Sequence, residues 1–288
     1  MTTPADLRSA VLSQVEKASD PRTAQVLASL VRHLHAFAED VALTQEEWFT
    51  GVQFLTQTGQ ACVGARQEFI LLSDVLGLSM LVDLLDNSAG GGATESTVLG
   101  PFYVPDSPRR ANGDSTEERP SGDAALVSGQ VLDLDGKPLA GAEVDVWQNG
   151  ADMLYAVQDP TAPPNNLRGL FTTDDDGRFS FRGVRPVDYP VPTDGPVGRL
   201  LAASGRRPWR AAHLHMIASA PGHRPVTTHL FDDESRYLDS DVVFGVKSSL
   251  VKHFERHEAG EPQRPAGVGP EQLWYSLEHD FILAPAER

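Results

Sequence analysis

The sequence predicts a helical N-terminal region followed by an antiparallel β-sandwich, a mainly β fold with an α-helical extension. Three observations carry that expectation. Before residue 90, apolar residues recur at steps of three and four, the helical period. After it, proline and glycine become dense, and short runs alternate apolar with polar residues as half-buried strands do. Between the two regimes stands Gly90-Gly91-Gly92, a helix breaker. The expected domains are therefore residues 1–92, helical, and residues 93–288, the sandwich.

Each element follows from local pattern. Val26, Leu27, Leu30, Val31, Leu34, Phe37, Ala38 and Val41 mark one helical stripe. Thr44 and Glu47 have the form of a capping box opening a second helix through Trp48, Val52, Phe54 and Leu55. A third helix is expected over 66–85, with Gly77 inside it. Strands are expected over 126–134, 142–147, 170–173, 178–181, 213–218 and 226–231. The acidic turns Asp133-Leu-Asp-Gly136 and Asp174-Asp-Asp-Gly177 are expected to join neighbouring strands as hairpin loops. The second turn lacks the remaining positions of a calcium-binding loop. No internal repeat is evident.

Composition narrows the function classes. The chain has 288 residues, 40% of them apolar and 22% charged, which is ordinary for a globular protein. Its 24 basic and 40 acidic residues give a net charge of -16. So acidic a surface repels phosphate backbones and anionic headgroups, so neither nucleic acid nor membrane is expected as a partner. The single cysteine, Cys62, allows no intrachain disulfide and reads as a small core residue rather than a nucleophile. The start Met1-Thr-Thr-Pro-Ala lacks the basic and apolar run of a signal peptide, and the apolar run 69–85 is interrupted by Asp74 and Asp83. A cytoplasmic protein is expected.

The candidate site begins with His213 and His215. On one strand, residues i and i+2 share a face about 6.5–7 Å apart, so two imidazoles there can converge on one metal ion. The alternative is a polar pair on the wet face of an edge strand. Further ligands should come from the same β region, where cysteine is unavailable and most carboxylates lie in turns. Tyr155 follows the strand ending near Trp147, and Tyr189 sits in the proline-stiffened stretch Arg185-Pro-Val-Asp-Tyr-Pro-Val-Pro192. Either alone would be an ordinary half-buried tyrosine.

Together, Tyr155, Tyr189, His213 and His215 resemble the ligand set of the intradiol ring-cleavage dioxygenases in residue type, order and approximate spacing. The resemblance extends to Glu95-Ser-Thr-Val-Leu-Gly-Pro-Phe-Tyr103, Val127-Ser-Gly-Gln-Val131, Pro138-Leu-Ala-Gly-Ala142 and Val144-Asp-Val-Trp-Gln148. Tyr237-Leu-Asp-Ser-Asp-Val-Val-Phe-Gly-Val-Lys-Ser-Ser249 is similar to the hydroxyquinol-cleaving branch. It implies one non-haem Fe(III) per subunit, held by those four residues. It further implies cleavage of a small aromatic diol or triol by O2 in aromatic catabolism, with hydroxyquinol as substrate and catechol or chlorocatechol as the alternative. The chemistry suits the donors. A free phenol has a pKa of about 10, so binding it as phenolate at pH 7 costs about 4 kcal/mol, which a trivalent ion can supply. A catecholate dianion entering a dry pocket requires two anionic ligands to leave. The resemblance makes Tyr189, trans to His213, the departing one, with Tyr155 and His215 remaining equatorial.

Other roles also rest on the resemblance. Arg210 would lie near the substrate ring and stabilise negative charge; a surface salt bridge is the other reading. His229, where catechol-cleaving relatives usually carry glutamine, either orients the reacting oxygen atoms or is a satisfied core histidine. The substrate wall would be Leu81, Asp83, Val98, Leu99, Gly100, Pro101 and Phe102. Asp83 would meet the third hydroxyl of hydroxyquinol, or lie on a solvated helix face. Ala211 and Met153 stand where the family often has proline and glycine. The N-terminal helices would form a homodimer interface able to enclose phospholipid. Two readings outside the family remain. One is a non-catalytic transthyretin-like module, favoured only by the hairpin Asp135–Ala142. The other is a cupin-type Fe(II) or zinc site, for which His229 with Glu234 is a poor completion.

Overall fold

The computed structural model describes residues 3–87, 91–261 and 264–286. Gly90, the first glycine of the predicted breaker, lies outside the described residues; Gly91 and Gly92 both take the positive φ that favours glycine. By its contacts the chain divides into two compact units, Met1–Gln57 and Thr58–Arg288.

The first unit holds α1 (Pro4–Val15), α2 (Pro21–Asp40) and most of α3 (Gln45–Gln60). Thr3 and Asp6 form a capping box on α1, and the Asp20 carboxylate accepts the Thr23 N–H at 2.7 Å to cap α2. The capping box expected at Thr44 and Glu47 is present, with reciprocal bonds of 2.9 and 3.2 Å. The predicted α2 stripe exists, but it is not a core face. Val26, Leu27, Leu30, Leu34, Phe37 and Val41 are 39–55% exposed, and Ala28 is the one buried residue of that helix.

The second unit opens with α4 (Glu68–Val75) and α5 (Leu78–Asp86). The single helix expected over 66–85 is therefore corrected to two. Gly77 sits between them at φ +73, the left-handed conformation that terminates a helix and re-aims the chain. Among the described residues, twelve strands, one further α-helix and a 3-10 turn (Ser248–Leu250) follow: β1 (Ala124–Asp133), β2 (Glu143–Trp147), β3 (Arg168–Thr172), β4 (Arg178–Val184), β5 (Tyr189–Pro190), α6 (Pro196–Ala203), β6 (Trp209–Arg210), β7 (His213–Ser219), β8 (Val226–Asp232), β9 (Val251–Lys252), β10 (Glu255–His257), β11 (Trp274–Glu278) and β12 (Phe281–Leu283). All six predicted strands are among them.

Two five-stranded sheets pack face to face. One runs β10-β11-β1-β12 with β4 also on β1; the other runs β3-β2-β7-β8-β9. Their inner faces supply the core: Ala125, Val127 and Val131 of β1 alternate inward against Val144 and Val146 of β2 and Leu214, Met216 and Ala218 of β7. The sandwich is mixed rather than purely antiparallel, because β1 pairs parallel with β11 and β12, and β8 with β9. The hairpin expectation is also corrected. The Asp174–Gly177 turn links β3 to β4, which belong to different sheets. The Asp133–Gly136 turn folds Leu132 onto Pro138, after which β2 joins the opposite sheet. Both turns are corners between layers.

Candidate metal centre

Strand β7 lies between β2 and β8, so its backbone is paired on both sides and no edge is wet. Leu214 and Met216 take the core face, which sends His213 and His215 to the other face. Loops cover that face, and the two imidazoles are 0% and 1% exposed. The edge-strand reading is thereby excluded. Across the sheet, Trp147, His215 and His229 are register partners, and their rings form a row. Trp147 stacks on His215 at 4.7 Å, and His229 meets it edge-on at 4.1 Å.

The tyrosines arrive from elsewhere. Tyr189 is fixed by the two-residue ladder β5–β6, where it pairs with Arg210. Tyr155 sits in a turn closed on Gln158, two residues after Met153, which holds φ +66. Phe102 stacks on Tyr155 at 4.6 Å. Gly100 lies so close that a Cβ would stand 3.2 Å from His215 Cε1.

Four donor atoms converge. His213 Nε2 is 3.0 Å from His215 Nε2, which is 3.0 Å from the Tyr155 hydroxyl; the Tyr189 hydroxyl is 3.5 Å from His213 Nε2. His213 Nδ1 donates to the Ala211 carbonyl at 2.6 Å, so the neutral ring turns a lone pair toward the cluster. Burial holds both imidazoles well below their usual pKa, with the Arg210 charge adding to the effect. Burial also raises Tyr155 and Tyr189, although Arg210 pulls Tyr189 back down. Two nitrogen lone pairs and two phenols packed this tightly suit a hard, highly charged cation that would displace the phenol protons. The residues fit iron. His213, His215 and His229 also form a buried three-histidine cluster. His229 stacks on His213 at 4.4 Å and 19°, with its Nδ1 3.5 Å from Arg210 Nη2.

Arg210 is 2% exposed and paired with Asp241 at 3.0 Å, which overturns its surface reading. Its other nitrogens reach the Tyr189 hydroxyl at 3.4 Å and His229 Nδ1 at 3.5 Å. The expected wall is only partly assembled. Val98, Leu99 and Gly100 line a groove of about 520 Å³ on α4 and α5, while Pro101 and Phe102 line a separate cavity of about 330 Å³ with Leu71 and Pro192. Leu81 lines neither and is 51% exposed. Asp83 lines the groove on α4 and α5 too, paired there with Lys247 Nζ at 3.0 Å. The carboxylate that lacks a partner is Asp74, which lines the same groove at 1% exposure with neither oxygen well hydrogen-bonded. Sequence reasoning missed Asp74 and Asp241, for neither carries a motif or a spacing that separates it from the chain's other acids.

Comparison with known proteins agrees with this arrangement. A family model described as "Dioxygenase" matches residues 98–285, and one described as "Catechol dioxygenase N terminus" matches residues 20–94. The protein is a dioxygenase. It is 46% identical over 275 residues to a hydroxyquinol 1,2-dioxygenase of Rhizobium sp. (strain MTP-10005), covering 95% of this chain and 93% of that one. A second hydroxyquinol 1,2-dioxygenase, from Nocardioides simplex, is 47% identical over 98% of this chain and 95% of its own length. The solved structure of hydroxyquinol 1,2-dioxygenase from Pseudomonas putida DLL-E4 superimposes with a TM-score of 0.88 at 45% identity, covering 98% and 99% of the two chains. The chain belongs to the intradiol ring-cleavage dioxygenases, a family that implies non-haem iron.

Proposed function

We propose that the protein holds one Fe(III) per subunit through Tyr155, Tyr189, His213 and His215 and cleaves hydroxyquinol between its adjacent hydroxylated carbons. Both atoms of O2 enter the product, 3-hydroxy-cis,cis-muconate or its tautomer maleylacetate. The convergence of two buried phenols and two neutral imidazoles carries this reading. When bound, ferric iron would act as a Lewis acid that holds the diol in its deprotonated, electron-rich form.

The chain's own groups have distinct tasks. Tyr189 lies beside the Arg210 guanidinium, which would stabilise its oxyanion, so of the two phenols it would be the one better able to be freed when the diol binds. Tyr155, stacked under Phe102 and hydrogen-bonded to His215 rather than to Arg210, stays in place. Burial of all four donors excludes water from the reacting atoms. Val98, Leu99, Gly100, Pro101 and Phe102 supply apolar wall. Asp83 lines the same groove but is engaged by Lys247, and Leu81 lines neither cavity. Asp74 is the carboxylate free to receive the third hydroxyl; burial raises its pKa, partly offset by Ser79 and Arg210. Catechol offers no such hydroxyl, which favours hydroxyquinol over catechol and chlorocatechols.

Residues 1–92 would serve as the dimerisation domain and 93–288 as the catalytic one. The exposed α2 stripe supports a homodimer and leaves room for phospholipid at its interface. A cytoplasmic location fits the single cysteine. The test is O2 uptake by purified, iron-replete protein with hydroxyquinol, catechol and 4-chlorocatechol side by side. Fastest turnover of hydroxyquinol by a burgundy enzyme is expected; a colourless protein that stays inactive after iron loading would refute the reading.

A further inference from the structure

Phe244 combines two features that a loop residue ordinarily avoids. Its backbone holds φ +59, a left-handed conformation costly for a bulky side chain, and its side chain is 53% exposed. It belongs to neither the sandwich core nor the donor set. The ring lies instead against the bend between α4 and α5, where a Cβ on Gly77 would stand 3.4 Å from Phe244 Cδ2. The Arg206 guanidinium carbon is 5.0 Å from the centre of the same ring, within cation–π range. Strain kept at an exposed aromatic residue points to a task for its ring.

Arg206, three residues beyond α6, donates from Nη1 to the Val75 carbonyl at 2.5 Å and from Nη2 to the Val242 carbonyl at 2.7 Å. Val75 is the last residue of α4, so the cation also meets the negative end of that helix. The carbonyl of the preceding residue, Asp74, accepts the Gly77 N–H at 2.9 Å. The bend divides the polar groups of the groove. Ser73 and Asp74 come from α4 and Ser79 from α5, with the Ser79 hydroxyl donating to that of Ser73 at 2.8 Å. Whatever holds the bend therefore holds their spacing. The 242–245 stretch also reaches Thr97 of the same groove, whose hydroxyl donates to the Gly245 carbonyl at 3.0 Å. Arg206 and Phe244 thus tie the end of α4, the Gly77 bend and the backbone beside Thr97 into one unit.

We propose that Arg206 and Phe244 form a latch that fixes Asp74 relative to the 97–100 segment and so sets the preference for an aromatic triol over a diol. Both are positioning residues, since Asp74 is the group that would touch the third hydroxyl. Lysine cannot replace the arginine, because a point charge on a flexible stem does not span two carbonyls as a planar guanidinium does. The inference rests on the hydroxyquinol reading above, and on Asp74 within it.

The experiment compares Phe244→Gly, Phe244→Tyr, Arg206→Lys and Asp74→Asn in iron-replete enzyme. It reads iron content, the visible phenolate band, and the preference for hydroxyquinol over catechol, both in kcat/KM and in anaerobic Kd. Glycine suits the φ of position 244, so Phe244→Gly should fold and keep its iron and its band. Its preference should nevertheless shift about fivefold toward catechol, less than the loss of the Asp74 charge produces. Arg206→Lys should shift likewise, whereas Phe244→Tyr keeps a ring for Arg206 and should stay within about twofold of the unmodified enzyme. Because the latch acts through Asp74, Phe244→Gly should add little to Asp74→Asn in the double variant. The proposal is overturned if Phe244→Gly leaves the preference within about twofold, lowers both substrates equally, or loses iron. It is equally overturned if tyrosine fails as completely as glycine, if Arg206→Lys keeps the preference, or if the effect of Phe244→Gly persists undiminished beside Asp74→Asn. A preference lowered by Asp74→Asn but not by Phe244→Gly removes the latch alone. A preference indifferent to Asp74→Asn removes the reading of Asp74 and the latch with it.

Discussion

Tyr155 and Tyr189 are the same side chain in two electrostatic positions. Arg210 lies 3.4 Å from the Tyr189 oxygen, whereas Tyr155 feels Tyr189 as a further upward pressure on its pKa. Replacing either with phenylalanine removes one anionic donor. The ferric enzyme's visible band should shift or vanish, and turnover should fall by more than the roughly 10–100-fold that follows loss of a group merely orienting a ligand. Absorption spectra and O2 uptake on Tyr155→Phe and Tyr189→Phe check this. Asp74 and Asp83 form a second pair that the sequence could not order. On one continuous helix, residues nine apart are separated by 9 × 100° = 900°, which is opposite faces. Gly77 breaks that helix, and both carboxylates line one groove, where Asp83 meets Lys247 and Asp74 meets no partner. Asp74→Asn should therefore weaken hydroxyquinol turnover about tenfold more than catechol turnover. Asp83→Ala should reduce both equally, and steady-state kinetics on the two substrates would expose the reverse order.

Among the elements, β1 is the one on which the second unit turns. It pairs parallel with β11 over 125–128 and with β12 over 131–133, so the chain steps from one partner to the other beside Gly129. The His279 N–H donates to the Ser128 carbonyl there, and a Cβ on Gly129 would stand 1.8 Å from the His279 carbonyl oxygen. Backbone cannot yield as a side chain can. Gly129→Ala should cost about 3 kcal/mol or more, the upper end for an overpacked site, read as a lowered denaturation midpoint. The His279 imidazole adds a pH dependence. Burial lowers its pKa to about 4, against about 6.5 in the unfolded chain. Between those values the unfolded chain binds the extra proton, so stability is full above pH 6.5 and declines as pH falls toward 4, by about 3 kcal/mol in all. His279→Phe should flatten that decline in urea titrations at pH 7, 5.5 and 4; an unchanged slope would place the acid sensitivity elsewhere.

At the scale of the whole molecule, the α2 stripe is the feature a single chain leaves unexplained. Six large apolar side chains stand about half exposed on one helix, in a chain whose net charge of -16 otherwise favours solvation. A second copy would cover them. Leu30→Glu combined with Phe37→Glu should convert a dimer to a monomer by light scattering while leaving the phenolate band intact. A double variant that remains dimeric would move the interface away from α2.

Much of this protein is legible in its sequence because the relevant signals are local. Periods of 3.6 and 2 placed α2, α3 and six strands, and the i, i+2 spacing put His213 and His215 on one face. The set Tyr, Tyr, His and His resembles a family's iron ligands, and its donor chemistry suits a hard cation because that chemistry belongs to the side chains themselves. Tertiary structure decided what depends on distant partners. It set β7 in a sheet centre rather than at an edge, made corners of the acidic turns, and turned Arg210 inward onto Asp241, 31 residues away. It also left Asp74 without a partner. Whether a buried polar atom is satisfied is a property of everything packed around it, and no local pattern encodes that.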